Sequence, residues 1–135
     1  MEKYTYEQLL EIIATLRGEN GCPWDKAQTH ESMIKCLRDE CEEVVEAIEK
    51  KDDDNLCEEL GDVLLQVLLH AQIATEEGRF TMSDVVDGLS KKMVRRHPHV
   101  FGGEPVAMTP EEGLANWKAI KEKEKEEREK RRKKG

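Results

Sequence analysis

Aromatic residues are nearly missing from this chain: two Trp, two Tyr and two Phe make up 4% of 135 residues, against 39% that are charged. That shortage disfavours a sheet-rich fold, whose strands draw on aromatic and β-branched residues, and suits amphipathic helices. No strand alternation and no internal repeat is present. No apolar run is long enough to span a bilayer or act as a signal peptide, so no membrane partner is expected. The four cysteines, Cys22, Cys36, Cys41 and Cys57, form no CxxC pair and match no zinc template. They read as reduced thiols in a cytoplasmic protein, buried as small hydrophobes.

Positive charge is also scarce outside the C-terminal stretch. Residues 118–135 hold ten Lys or Arg against five Glu; the rest holds twelve basic against twenty-five acidic residues, leaving −13 of charge in the body and −8 overall. An acidic body repels nucleic-acid backbones, so no nucleic-acid partner is expected, and a phosphate-bearing substrate needs bridging cations or a local basic patch. The length fits one domain, placed at 1–117. The run KEKEKEEREKRRKKG has nothing apolar to bury, and 118–135 reads as a solvated helix end or tail.

What is abundant is helical periodicity. Thr5 and Gln8 form a capping box ahead of Leu9, Leu10, Ile12, Ile13 and Leu16, and Gly18 stops this first helix. Residues 18–28 read as a loop carrying Trp24. Thr29 then caps a second helix over about 30–50, with Met33, Ile34, Leu37, Cys41, Val44, Val45 and Ile48 on one side. Asp52-Asp53-Asp54-Asn55 is a turn that caps a third helix over about 56–77. Leu60, Val63, Leu64, Val67, Leu68 and Ala71 line one side of it, while Leu65 and Leu69 point the other way, so both sides call for burial. A fourth helix opens at Thr81 or Ser83 and ends after Arg96, before Pro98. Thr109-Pro110-Glu111-Glu112 starts a last helix through Leu114, Trp117 and Ile120. The expected fold is all-α, an antiparallel bundle of four to five helices completed within a monomer or by homodimerisation.

Two acidic pairs stand out against this pattern. A helix advances about 100° per residue, which puts Glu40 inside the apolar sector of the second helix and Glu43 at its border, with Asp39, Glu42, Glu46 and Glu49 on the far side. On the third helix Glu59, Asp62 and Gln66 form a polar strip. With the turn centred near Asp53, Glu43 comes nearly level with Asp62, and both pairs face one space. Four carboxylates with no thiol or imidazole favour a hard cation, Mg²⁺ or Mn²⁺. Di-iron chemistry needs Glu-x-x-His, which none of the four histidines completes. Lys92 and Arg96 fall in the apolar stripe of the fourth helix. They read as triphosphate contacts, with a snorkelling lysine or an ion pair as the other reading. Trp24 and Trp117 read as stacking partners for a base or as core anchors.

CPWDKAQTH at 22–30, DECEEVVEAI at 39–48, ELGDVLLQVLLHAQIATEEGRF at 59–80 and KMVRRHPHVFG at 92–102 resemble the MazG family of nucleoside triphosphate pyrophosphohydrolases. The likeness covers about 18–103 and continues more loosely through Trp117. It implies that the family's EExxE…ExxD metal signature falls on Asp39, Glu40, Glu43, Glu59 and Asp62, with Asp39 departing from the pattern at a position outside the angular pocket. It further implies Mg²⁺-dependent hydrolysis of several NTPs and dNTPs to monophosphate and pyrophosphate, with Glu40, Glu43, Glu59 and Asp62 as metal ligands and catalytic carboxylates. Lys92, Arg96 and Trp117 would contact the nucleotide, with Arg95 and Lys26 behind them. Homodimers are implied as well, tetramers remaining open. A narrower relative, such as a dCTP or dUTP pyrophosphatase or a phosphoribosyl-ATP pyrophosphohydrolase, is the alternative enzyme. An inactive helical dimerisation or nucleotide-sensing module is the alternative from another class.

Overall fold

The computed structural model describes residues 2–103 and 108–134, and every regular element among them is a helix. Two compact units divide the chain, Met1–Val85 and Val86–Gly135. The expected division into 1–117 and a tail takes in residues 1, 104–107 and 135, which lie outside the described residues. No described helix is long and apolar enough to cross a membrane.

In the first unit, α1 (Tyr6–Leu16) opens on the anticipated capping box, with Thr5 accepting from the Gln8 amide and the Gln8 side chain accepting from the Thr5 amide. The loop that follows contains a short helix, α2 (Pro23–Ala27), missed because five residues are too few to show a period. A 3₁₀ turn at Glu31–Met33 leads into α3 (Ile34–Glu49), and the Thr29 and Ser32 side chains each accept from the other's amide at this entry. Asp52 caps α4 (Asp53–Glu76) by accepting from the Asn55 amide at 3.1 Å. The third helix therefore begins three residues earlier than anticipated, because the acidic run is its first turn, where negative charge meets the positive helix end.

That shift moves the centre of the α3–α4 turn from Asp53 to Lys51, a left-handed residue with φ 54°. Counting outward from Lys51 brings Glu43 level with Glu59 and Glu40 level with Asp62, rather than Glu43 with Asp62. Met33 and Leu69 are level by the same count, and both belong to the core with Ile13 and Leu68. Leu9, Leu10, Cys36 and Met82 pack around that cluster.

Burial in the described chain is one-sided. Leu68, Leu69, Ala71, Ile73 and Ala74 are buried, yet Leu60, Leu64, Leu65 and Val67 on α4 and Ile34, Val45 and Ile48 on α3 stay exposed. The N-terminal half of α4 presents its Leu60, Leu64 and Val67 stripe to solvent. Two expectations fail for the same reason. Cys41 and Cys57 are exposed and Cys22 and Cys36 only half-buried, and Trp24 is 59% exposed and so anchors no core.

Arg17 holds the α1–α2 loop in place. Its side chain is 7% exposed and donates to the Asp25 carbonyl at 2.6 Å, the Gln28 carbonyl at 3.0 Å and, from Nε and Nη2, the two Glu76 carboxylate oxygens at 2.9 and 3.1 Å. In the second unit α5 (Met82–Arg96) continues from the first; α6 (Pro98–Phe101) is a single turn begun by Pro98, and α7 (Pro110–Lys134) starts with Thr109 accepting from the Glu112 amide. The charged run is thus one helix with the Trp117 segment.

Arg17→Met removes four hydrogen bonds, one partner being a carboxylate open to solvent, and is expected to cost about 2 kcal/mol in urea unfolding at pH 7. The Arg17 hydrogen bond holds the Glu76 carboxyl below its usual range. Its contribution is therefore present above about pH 4.5 and lost as pH falls through the lowered value. The gap between wild type and variant should narrow on acidification; an unchanged gap would contradict the assignment.

Candidate functional site

The carboxylate pairs meet. One oxygen from each of Glu40, Glu43, Glu59 and Asp62 can be chosen so that all four lie within 4.8 Å of one another. Glu43 is exposed while the other three are half-buried. Glu40 Oε2 and Glu59 Oε2 are shut off from solvent with no hydrogen-bond partner. Asp39 stands apart, pairing with Lys35 at 2.7 Å on the solvent side of α3.

The electrostatic consequence is a site held against its own repulsion. The Glu59 carboxyl is pushed up to about 7, first by a hydrogen-bonded approach of Glu43, then by burial, then by the charges of Glu43, Asp62 and Glu40. Glu40 is raised too, chiefly by burial and next by Glu43. Buried carboxylate oxygens without a donor are costly unless something positive meets them. Opposite ligands of a Mg²⁺ or Mn²⁺ ion at about 2.1 Å are about 4.2 Å apart, so the donor set and its spacing fit a hard cation.

The second unit gathers the expected cations. Arg96 is buried, donates from Nη2 to Glu124 at 3.0 Å and stacks its guanidinium 4.8 Å from the Trp117 ring. Arg95 donates to the other Glu124 oxygen at 2.6 Å. The two arginines, Arg95 first, hold the Glu124 carboxyl down at about 2. Lys92 joins Arg95, Arg96, Arg128 and Arg131 around a cleft of about 350 Å³. Of the two readings of Arg96, the ion pair is present. His97 donates from Nδ1 to the Met93 carbonyl at 2.6 Å and packs 5.3 Å from Trp117. In the sequence Glu124 is one more charge in a run that reads as solvated. Its signal was there, since Glu124 is seven residues after Trp117 and four after Ile120, on their face of α7.

Lys26 lies on α2 in the first unit, exposed, beside a cavity of about 600 Å³ that Arg17, His30, Glu76 and Arg79 also line.

Three comparisons bear on this arrangement. Residues 28–101 match the MazG nucleotide pyrophosphohydrolase domain. The chain is 59% identical over 114 residues to the uncharacterized protein YabN of Bacillus subtilis, covering 84% of this chain and 23% of that protein. It is 51% identical over 120 residues to the nucleoside triphosphate pyrophosphohydrolase/pyrophosphatase MazG of Thermotoga maritima, covering 89% and 45%. Against the Escherichia coli K12 nucleoside triphosphate pyrophosphohydrolase the identity is 47% over 119 residues, covering 87% and 45%. The chain thus spans less than half the length of these relatives. A crystal structure of a mazG-related protein from Thermotoga maritima superposes with a TM-score of 0.68 at 36% identity, covering 86% of this chain and 98% of that one.

Because Glu40 and Glu59 hold protons more tightly when folded, the metal-free protein binds more protons folded than unfolded between about pH 4.5 and 7. Its stability should be greatest at the acid side of that window and fall as pH rises through about 7. Thermal melts in a chelator at pH 5 to 8 measure this, and Glu59→Gln should melt higher than wild type at pH 8. A variant that melts lower there would refute the strain.

Proposed function

We propose, because this chain belongs to the MazG nucleotide pyrophosphohydrolase family, that it hydrolyses nucleoside triphosphates to the monophosphate and pyrophosphate, with Mg²⁺ as its cofactor. The observation that carries the reading is the cluster of four carboxylates within 4.8 Å, two of whose oxygens are buried without a partner. Glu40, Glu43, Glu59 and Asp62 would hold the metal. A divalent cation held there would supply positive charge against phosphate oxygens and a lowered pKa for a bound water.

The chain's own groups do the rest. The α3–α4 hairpin holds the carboxylates in fixed register, so that they converge on one point before substrate arrives. One of these carboxylates accepts the proton of the water that attacks the α-phosphorus, and the leaving group departs as pyrophosphate. Lys92 and Arg96 meet phosphate oxygens, with Arg95 in support, and Trp117 contacts the nucleotide. For those cations Glu124 is the carboxylate that phosphate must compete with. The activity so proposed is a broad house-cleaning one on NTPs and dNTPs.

A second copy of the chain covers the exposed apolar stripe. Leu60, Leu64 and Val67 with Ile34, Val45 and Ile48 form more bare aliphatic surface than isolated exposed residues would. A homodimer that buries them would complete the bundle, as two-sided α4 requires.

A panel of NTPs and dNTPs with Mg²⁺ should yield monophosphate and pyrophosphate in equal amounts. Glu40→Gln and Asp62→Asn should each lower turnover by at least about 100-fold. Absence of cleavage, or full activity in both variants, rejects the enzyme. Light scattering should give twice the chain mass for the wild type, and Leu64→Glu should shift it to one chain mass; a monomeric wild type rejects the dimer.

A further inference from the structure

Glu124 stands between the two arginines that the proposed reaction assigns to phosphate. It comes from α7, on which Trp117, Glu124, Arg128 and Arg131 follow one another at spacings of seven, four and three residues, within about 60° of each other around the axis. From α5, Arg95 donates through Nε to one Glu124 oxygen at 2.6 Å, and Arg96 donates through Nη2 to the other at 3.0 Å. One carboxylate thus fixes two guanidinium groups. Because Arg95 uses Nε, the Nη edge of its guanidinium is left for a second anion.

The two arginines depend on that carboxylate in different ways. The Arg96 side chain is 8% exposed with its guanidinium 4.8 Å from the Trp117 ring, and its Nε is buried with no hydrogen-bond partner among the described residues. Glu124, 16% exposed, supplies the negative charge that offsets the burial of this cation. Arg95 is 52% exposed, so no packing selects its rotamer and the bond from Nε does.

On an incoming phosphate Glu124 acts in two opposed directions. Its charge competes with the phosphate: across a water-filled cleft, one unit charge about 6 Å away changes affinity about threefold. Its hydrogen bonds order the arginines beforehand, and the rotamer entropy of one freed arginine amounts to about thirtyfold. Ordering outweighs competition.

We infer that Glu124 is a positioning residue of the phosphate site, which raises affinity for a polyphosphate by holding Arg95 and Arg96 in place although its own charge opposes the ligand. Lys92, Arg128 and Arg131, which line the same cleft, add positive charge there. The inference rests on the reading of Lys92, Arg95 and Arg96 as phosphate contacts.

The sign of one substitution decides between the two effects. Calorimetry with inorganic triphosphate and Mg²⁺ reads binding without turnover, and NTP hydrolysis reads KM and kcat. Glu124→Ala should weaken triphosphate binding about tenfold and raise KM to match, with a smaller change in kcat. Glu124→Asp keeps the charge but draws the oxygens back by one methylene, and should lose nearly as much. Glu124→Gln keeps the length and one acceptor oxygen, and should lie between these and wild type. In an Arg95→Ala background the effect of Glu124→Ala should mostly vanish, because it acts through that side chain. Circular dichroism and melting temperature show whether Glu124→Ala folds with Arg96 unpaired; if it does not, the Asp and Gln variants carry the test. Variants that bind triphosphate as tightly as wild type or more tightly overturn the inference, even where wild type cleaves NTPs. So does a wild type that binds no triphosphate, or a loss undiminished by Arg95→Ala. If the expected pattern is found while wild type cleaves no NTP, the positioning role stands and the hydrolase reading falls.

Discussion

Four carboxylates within 4.8 Å of one another repel, and the antiparallel α3–α4 hairpin is what keeps them together. Its turn is only three residues long, Lys50 to Asp52, so the register of the two helices has little freedom. The apolar layer of Met33, Leu68 and Leu69 lies a few turns along the same hairpin and anchors it from the other end. Hydrophobic burial is non-directional and strong enough to hold a local arrangement that electrostatics opposes. A cation bound between these carboxylates would relieve that stored repulsion.

The two units treat charge in opposite ways. In the first, Glu59 is pushed up to about 7 because its close neighbours are other carboxylates. In the second, Glu124 is held at about 2 because its neighbours are Arg95 and Arg96. The same functional group thus marks two kinds of place, one short of positive charge and one internally neutralised. Arg96 shows the structural side of this: buried beside Trp117, it needs the Glu124 oxygen to offset its desolvation.

Along α4, polarity runs as a strip through an otherwise apolar helix. Glu59, Asp62, Gln66 and His70 follow one another at spacings of three and four residues, so they share a face. Each is answered differently: the carboxylates by one another, His70 by His30, and the Gln66 oxygen by no protein group. A strip of this kind is poor for stability, because buried polar groups without full hydrogen bonding are costly.

Periodicity in the sequence determined the five longer helices, the capping box at Thr5 and the N-cap at Thr109, and the separation of Glu40 and Glu43 from the solvated acids of α3. These are legible because each depends on residues within one or two turns. The family was legible in the motifs themselves. Tertiary structure alone decided the level pairing of Glu43 with Glu59, since a two-residue shift in where a turn is centred rearranges every partner across a hairpin. It also decided that Glu124, not solvent, meets Arg95 and Arg96, and that His30 meets both His70 and Arg79, the latter forty-nine residues away. Charges and hydrogen bonds between distant segments leave no periodic trace, because their energy depends on separation in space and not on spacing along the chain.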